Sequence, residues 1–192
     1  MDRPDRPDRP GAAVAFPGQG VDPVDAARVV AEHAGDPLVD LLVAHLGDRD
    51  LADGVPGPEA LTDTRVAQPV IVVAGLLTAR GAPGAGLVVG HSLGEITALA
   101  HAGALAPEAA VALVGERARL GHGVHTERPG LMVALMRLAA DDVEWVRRMA
   151  VGRSGGVLDV AVVNSPRQTV LTGDRDTAEA AVDAAFAAGG VA

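Results

Sequence analysis

Ser92 lies at the centre of Gly90-His91-Ser92-Leu93-Gly94. A G-x-S-x-G run between an apolar strand and a helix is the pattern of a nucleophile elbow. A sharp strand-to-helix turn lifts the hydroxyl above the sheet, and the glycines remove side chains that would collide at the bend. The amides that open the following helix point the same way and, with the helix dipole, can hold an oxyanion. Outside that setting the same five residues are an ordinary glycine-rich turn. A serine hydroxyl also needs a base to become a nucleophile. There are six His. His33 and His45 fall near expected helix ends, His101 lies on the helix after the elbow, and His122 and His125 fall in a stretch read as a loop (121–130). His91 adjoins Ser92 with its side chain expected to point away from the hydroxyl, and no His follows residue 125. Arg117 lies near the expected end of a later helix. From spacing alone it reads as a surface residue near a helix C-terminus, favoured by the dipole.

The elements that must position these residues are legible as apolar runs between breakers. Residues 12–16 form a short strand that stops at Pro17-Gly18-Gln19-Gly20. Asp22-Pro23 and Asp36-Pro37 each pair an N-cap with Pro at the first helical position, predicting helices that end near Gly35 and Gly47. Residues 48–60 read as a loop and 66–80 as an apolar helix. Leu87-Val88-Val89 is a second buried strand, followed by a helix that begins just after Ser92 and runs to about Gly103 and another opened by Pro107 that carries Arg117 near its end. Beyond residue 130 the order becomes strand (131–138), helix (141–150), strand (158–163), strand (168–172) and helix (174–189). Asn164-Ser165-Pro166-Arg167 joins the two middle strands. A β-α-β-β-α order lacks one strand of a ferredoxin-like unit, and that strand would begin where only Val191 and Ala192 remain, an expected sign of truncation. Residues 1–11 open on MDRPDRPDRP and read as a disordered tail.

Composition narrows the class. Aromatic residues make up 2% of 192 and hydrophobic residues 48%, so the core is Ala, Val and Leu, which suits helices on a parallel sheet. With net charge −9, every basic residue an Arg and only three aromatic rings, base stacking and polyanion binding are poorly served. No nucleic-acid partner is expected. The absence of Cys excludes disulfides and thiolate metal sites, and no metal or cofactor is implied. No apolar run reaches the roughly 20 residues of a membrane span and no signal peptide is evident, so a cytoplasmic location is expected.

Five stretches in order, FPGQG (16–20), QPVIVVAGL (68–76), GHSLGEITALAHAGAL (90–105), VGERARL around Arg117 and NSPRQTVLTGD (164–174), resemble the malonyl-CoA:acyl-carrier-protein transacylase family and the acyltransferase domains of polyketide synthases (PKS). The resemblance covers residues 12–192. It implies an α/β fold: a large hydrolase-like subdomain with a parallel sheet (12–130), an inserted ferredoxin-like small subdomain (131–192), and a C-terminal part missing. It implies a ping-pong reaction in which Ser92 takes malonyl from malonyl-CoA as an ester and passes it to the phosphopantetheine thiol of acyl carrier protein. The backbone amides of Gln19 and Leu93 would form the oxyanion hole, Arg117 would pair with the malonate carboxylate, and His91 and Asn164 would line the substrate site. Asn164 is equally readable as a turn residue before Ser-Pro. Leu93 fits a malonyl rather than a methylmalonyl substrate. The chain departs from the pattern at Val21-Asp22, where the family has Ser-Gln, and in a shortened first helical region. The family's catalytic His would fall beyond residue 192, supplied by a complementing C-terminal half. Two other readings remain open: a catalytically silent module that binds acyl carrier protein or a partner subunit, and a serine esterase.

Overall fold

The computed structural model describes residues 12–47, 51–52, 55–82 and 86–192. The expected tail (1–11) and parts of the expected 48–60 loop lie outside them. The chain divides into two compact units, one reaching to His122 and the other spanning Gly123–Ala192.

The first unit is built on helix α3 (Thr64–Ala79), twelve of whose sixteen residues are buried. A helix apolar on every face belongs at a centre rather than at a surface, and α3 packs against α1 (Pro23–Glu32), α2 (Pro37–Leu46) and α4 (Leu93–His101). Val30, Leu42, Val70, Val72, Val73, Leu93 and Val114 are at most 1% exposed and form the middle of this core. The two Asp-Pro starts cap as expected. Asp22 accepts from the Val24 amide and Asp36 from the Leu38 amide, each at 2.9 Å. The parallel strands β1 (Ala13–Phe16) and β4 (Leu87–Gly90) pair in register from Ala13↔Leu87 to Phe16↔Gly90. Between β1 and β4 in sequence, two-residue strands β2 (Leu51–Ala52) and β3 (Val55–Pro56) pair antiparallel inside the stretch expected to be only loop.

Helix α5 runs Pro107–Glu127, which corrects two expectations. Arg117 sits in the middle of a helix rather than near its end, and His122 and His125 are helical rather than in a loop. Gly121 and Gly123 each lower helix stability by about 1 kcal/mol but do not end a helix on their own. Pro129 does, by disfavouring helical geometry at the residue before it.

In the second unit, β5 (Gly130–Met136), α6 (Ala140–Ser154), β6 (Leu158–Ser165), β7 (Gln168–Asp174) and α7 (Arg175–Ala187) form an antiparallel sheet in the order β5-β7-β6. Its core is Leu135, Leu158 and Leu171 under Val146, Ala178, Ala181 and Ala185. Helix α6 begins one residue before its expected start and ends four beyond its expected end: Ala139 is its N-cap, with its amide met by the Asp142 carboxylate, and Gly155, in the left-handed conformation, is its C-cap. Val191 exchanges two backbone hydrogen bonds with Met136, of 2.7 and 3.0 Å, on the side of β5 away from β7. Strand β6 extends past Val163, so Asn164 lies within a strand and not in the connecting loop. It is the residue that the ladder skips between Val163 and Ser165, a bulge.

Candidate active site

The bend between β4 and α4 is made by close backbone approach. A side chain on Gly90 would collide with the Gly94 carbonyl, and one on Gly94 with the Phe16 carbonyl. The chain leaving β1 therefore lies directly on the first turn of α4, and the His91 amide donates to Phe16 O at 3.1 Å. Ser92 takes φ 54° and ψ −113° at this bend, a conformation that costs a non-glycine residue about 1–3 kcal/mol. The Ser92 amide donates to the Glu95 carboxylate at 3.1 Å, and the Gly94 and Glu95 amides donate to the His91 and Ser92 carbonyls at 2.9 and 3.0 Å. The Leu93 amide comes first in the helix, ahead of these two. The Ser92 side chain is exposed.

Arg117 reaches this bend from α5. Its Nη2 donates to Ser92 Oγ at 3.1 Å, while Nη1 donates to Gln68 Oε1. Gln68, 3% exposed, uses its own Nε2 to donate to Thr64 Oγ1 at 2.6 Å. Thr64 Oγ1 also accepts from Gln19 Nε2 at 3.1 Å. One polar chain thus runs from Gln19, through the first two turns of α3, to Arg117 and Ser92. The N-cap of α3, Asp63, accepts from the Arg65 amide at 2.8 Å and from the Arg65 guanidinium. That side-chain bond holds the Asp63 carboxyl below its ordinary range, against the opposing effect of burial.

Of the residues expected from sequence, Ser92, Arg117, Gln19, Leu93 and His91 all lie in the first unit around the β4–α4 bend. The His91 ring lies close to Gly18 in the loop after β1, its Nδ1 being 3.2 Å from where a side chain on Gly18 would start. Asn164 belongs to the second unit, where it is exposed, and the role expected of it rests on the sequence alone. His101 stacks at a tilt on Phe16, with ring centroids 5.3 Å apart, and His33 bonds back to the Val29 carbonyl. The sequence alone does not mark out Gln68, Thr64 or Glu95 as members of the site. A Gln within the apolar run 66–80 was the available signal, since a buried amide must find partners. An apolar cavity of about 390 Å³, lined by Phe16, Val21, Ile71 and Thr78 among others, has neither Ser92 nor Arg117 in its walls. Among the described residues, no three His, Asp or Glu groups converge as a metal site, and no helix is long and apolar enough to cross a membrane.

A strand–turn–helix bend carrying a serine, on a mixed α/β framework, narrows the class to the α/β folds that hold such elbows. The sequence profile of the acyl transferase domain family matches residues 24–192, and the chain belongs to that family. It is 33% identical over 187 residues to the malonyl CoA-acyl carrier protein transacylase of Escherichia coli (strain K12), covering 92% of this chain and 59% of that protein. Among solved structures it resembles an acyl-carrier-protein S-malonyltransferase from Burkholderia pseudomallei (33% identical, TM-score 0.71, 93% of this chain and 60% of that one). It also resembles a malonyl-transacylase solved with its type II PKS acyl-carrier protein (28% identical, TM-score 0.70, again 93% and 60%). The α/β fold is that of the malonyl transacylases, and the chain spans about 60% of the length of these relatives.

Proposed function

We propose that this protein transfers a malonyl group from malonyl-CoA to the phosphopantetheine thiol of acyl carrier protein through an ester on Ser92. The observation that supports this most directly is the 3.1 Å hydrogen bond between Arg117 and Ser92 Oγ. In malonyl thioesters a single methylene separates the carboxylate from the reacting carbonyl. An enzyme for that acyl group therefore needs its cation within about one hydrogen bond of its nucleophile, and Arg117 meets that need. A buried or half-buried guanidinium left without an anion also penalises acetyl, because its charge then goes unpaired.

In the first half-reaction Ser92 Oγ attacks the thioester carbonyl, losing its proton to a base, which the family resemblance expects to be a His. The amides of Gln19 and Leu93 receive the charge that develops on the carbonyl oxygen. The carbon–sulfur bond breaks, CoA leaves as a thiol after protonation, and malonyl remains on Ser92. In the second half the carrier protein's thiol attacks the ester, and Ser92 regains its proton. Arg117 holds the malonate carboxylate throughout. Both substrates are water-soluble, in keeping with a cytoplasmic enzyme.

The test is to incubate the purified chain with malonyl-CoA and measure intact mass, with and without a complementing C-terminal polypeptide from a family member. A malonyl adduct that disappears in Ser92→Ala is expected. Binding of acyl carrier protein with no adduct under either condition would instead establish a silent binding module. Hydrolysis of simple esters unaffected by Arg117→Ala would establish an esterase.

A further inference from the structure

Thr64 is placed to do more than begin a helix. It is the first residue of α3, and its Oγ1 accepts two hydrogen bonds, from Gln68 Nε2 one turn along the same helix and from Gln19 Nε2 in the loop after β1. Gln68 is oriented by what it touches. Its Oε1 faces the Arg117 cation and its Nε2 faces the hydroxyl; turned over, its NH2 would meet a guanidinium, donor against donor. Gln19 lies between Gly18 and Gly20, and glycine leaves the neighbouring peptide planes the most freedom. A donor for an oxyanion works only when it is fixed in place before the charge develops. A tether on the Gln19 side chain supplies that fixity, and the same hydroxyl receives the far end of the Arg117 support.

We propose that Thr64 is a positioning residue that couples the guanidinium for the substrate carboxylate to the loop carrying the Gln19 amide. The proposal rests on the malonyl-transfer reading. Its consequence is that occupancy of Arg117 by a carboxylate is felt at Gln19 through Gln68 and Thr64. Without the Thr64 hydroxyl, the carboxylate still binds but the oxyanion loop is loosened.

The composition makes the test direct, because the chain has three Gln and one Asn, hence four side-chain amide pairs. In a ¹⁵N-labelled preparation, the Gln19 and Gln68 pairs should be shifted from free-amide values. Thr64→Val should return the Gln19 pair to them, and Thr64→Ser should restore the shift. Arg117→Ala should move Gln68 and, to a smaller degree, Gln19, leaving Gln168 unmoved. Malonyl-CoA should shift Gln19 in the unaltered chain and in Thr64→Ser but not in Thr64→Val. Where adduct formation is measurable, Thr64→Val should slow it about tenfold, less than the loss of an oxyanion donor outright, with malonyl-CoA affinity little changed. A Gln19 pair identical in the unaltered chain and Thr64→Val would overturn the coupling, as would a loss confined to affinity. Should Thr64→Val not fold, the response of Gln19 to Arg117→Ala decides the matter alone. Should malonyl-CoA move none of the four pairs, the malonyl-transfer reading fails, and the spectra of the free protein still judge the relay.

Discussion

Replacing Arg117 by Ala removes two hydrogen bonds seen in the free protein and the proposed partner of the substrate carboxylate, and the two losses separate in measurement. Of the five N–H groups of a guanidinium, one serves Ser92 Oγ and one Gln68 Oε1, and three remain from which a carboxylate could be met. A charge-assisted hydrogen bond contributes about 1.5–3 kcal/mol. A two-bond clamp at a half-buried site is therefore worth about 3 kcal/mol after allowance for solvent, or about a hundredfold in preference for malonyl over acetyl. Isothermal titration of the chain with malonyl-CoA and acetyl-CoA measures that ratio without requiring turnover. The ratio should collapse toward one in Arg117→Ala and fall about tenfold in Arg117→Lys, which keeps the charge but not the fork. The stability cost has a different origin. Gln68 Oε1 is buried and would lose its donor, costing about 1–3 kcal/mol, or about 2–4 °C of melting temperature for each kcal/mol at this chain length. Adding Gln68→Met should recover much of the melting temperature and none of the selectivity. An unchanged malonyl-to-acetyl ratio in Arg117→Ala would refute the assignment of this guanidinium to the substrate carboxylate.

Ser92→Gly removes the backbone strain at φ 54° while keeping the Ser92 amide bond to Glu95; a gain of about 1 kcal/mol, or 2–4 °C by thermal denaturation, is expected, and a lower melting temperature would show that the bend stores no strain. Gly94→Ala sets a methyl against the Phe16 carbonyl and should destabilise by about 1–3 kcal/mol or more, read as a lower urea midpoint. The Asp63 carboxyl titrates below its ordinary value through its bond to Arg65. Its stabilisation is therefore fully present above about pH 3.9 and is lost as pH falls through the depressed folded value. Asp63→Ala should cost about 1 kcal/mol at neutral pH as a lost N-cap and reduce the fall in stability on acidification, followed by circular dichroism.

The parts of this structure that a reader of the sequence can find are those set by neighbours in the chain. Asp22-Pro23 and Asp36-Pro37 announce their helices because both capping bonds close within two residues. The bend at Ser92 is announced by Gly90 and Gly94, whose missing side chains are needed for backbone contacts that include its own helix. Signals failed where a weak local preference met a strong continuing one. Gly121 and Gly123 look like a loop, yet α5 passes through them because nothing forbids the helix before Pro129. Asn164 looks like a turn residue, yet pairing with β7 carries the strand beyond it. The polar chain behind Arg117 was hidden for another reason. Arg117 and Gln68 are 49 residues apart, and Gln19 and Thr64 are 45 apart. No local pattern states that a Gln in an apolar run will meet a guanidinium from another helix, although its burial requires that it meet something.

Two kinds of constraint converge on Ser92, and they differ in what they can tolerate. Its backbone is held by backbone: the Phe16 carbonyl against His91 and Gly94, and the amides of Gly94 and Glu95 turned back on the bend, with a single side chain, Glu95, on the Ser92 amide. Substitutions there are felt as folding defects. Its hydroxyl meets a side chain, Arg117, backed by the amide of Gln68 and the hydroxyl of Thr64 on the first turns of α3. Such a chain can be altered link by link while the bend persists. On the malonyl-transfer reading proposed above, the position of the serine and the choice of acyl group are therefore separable, the first set by glycine and carbonyl contacts and the second by where α3 and α5 place Gln68 and Arg117.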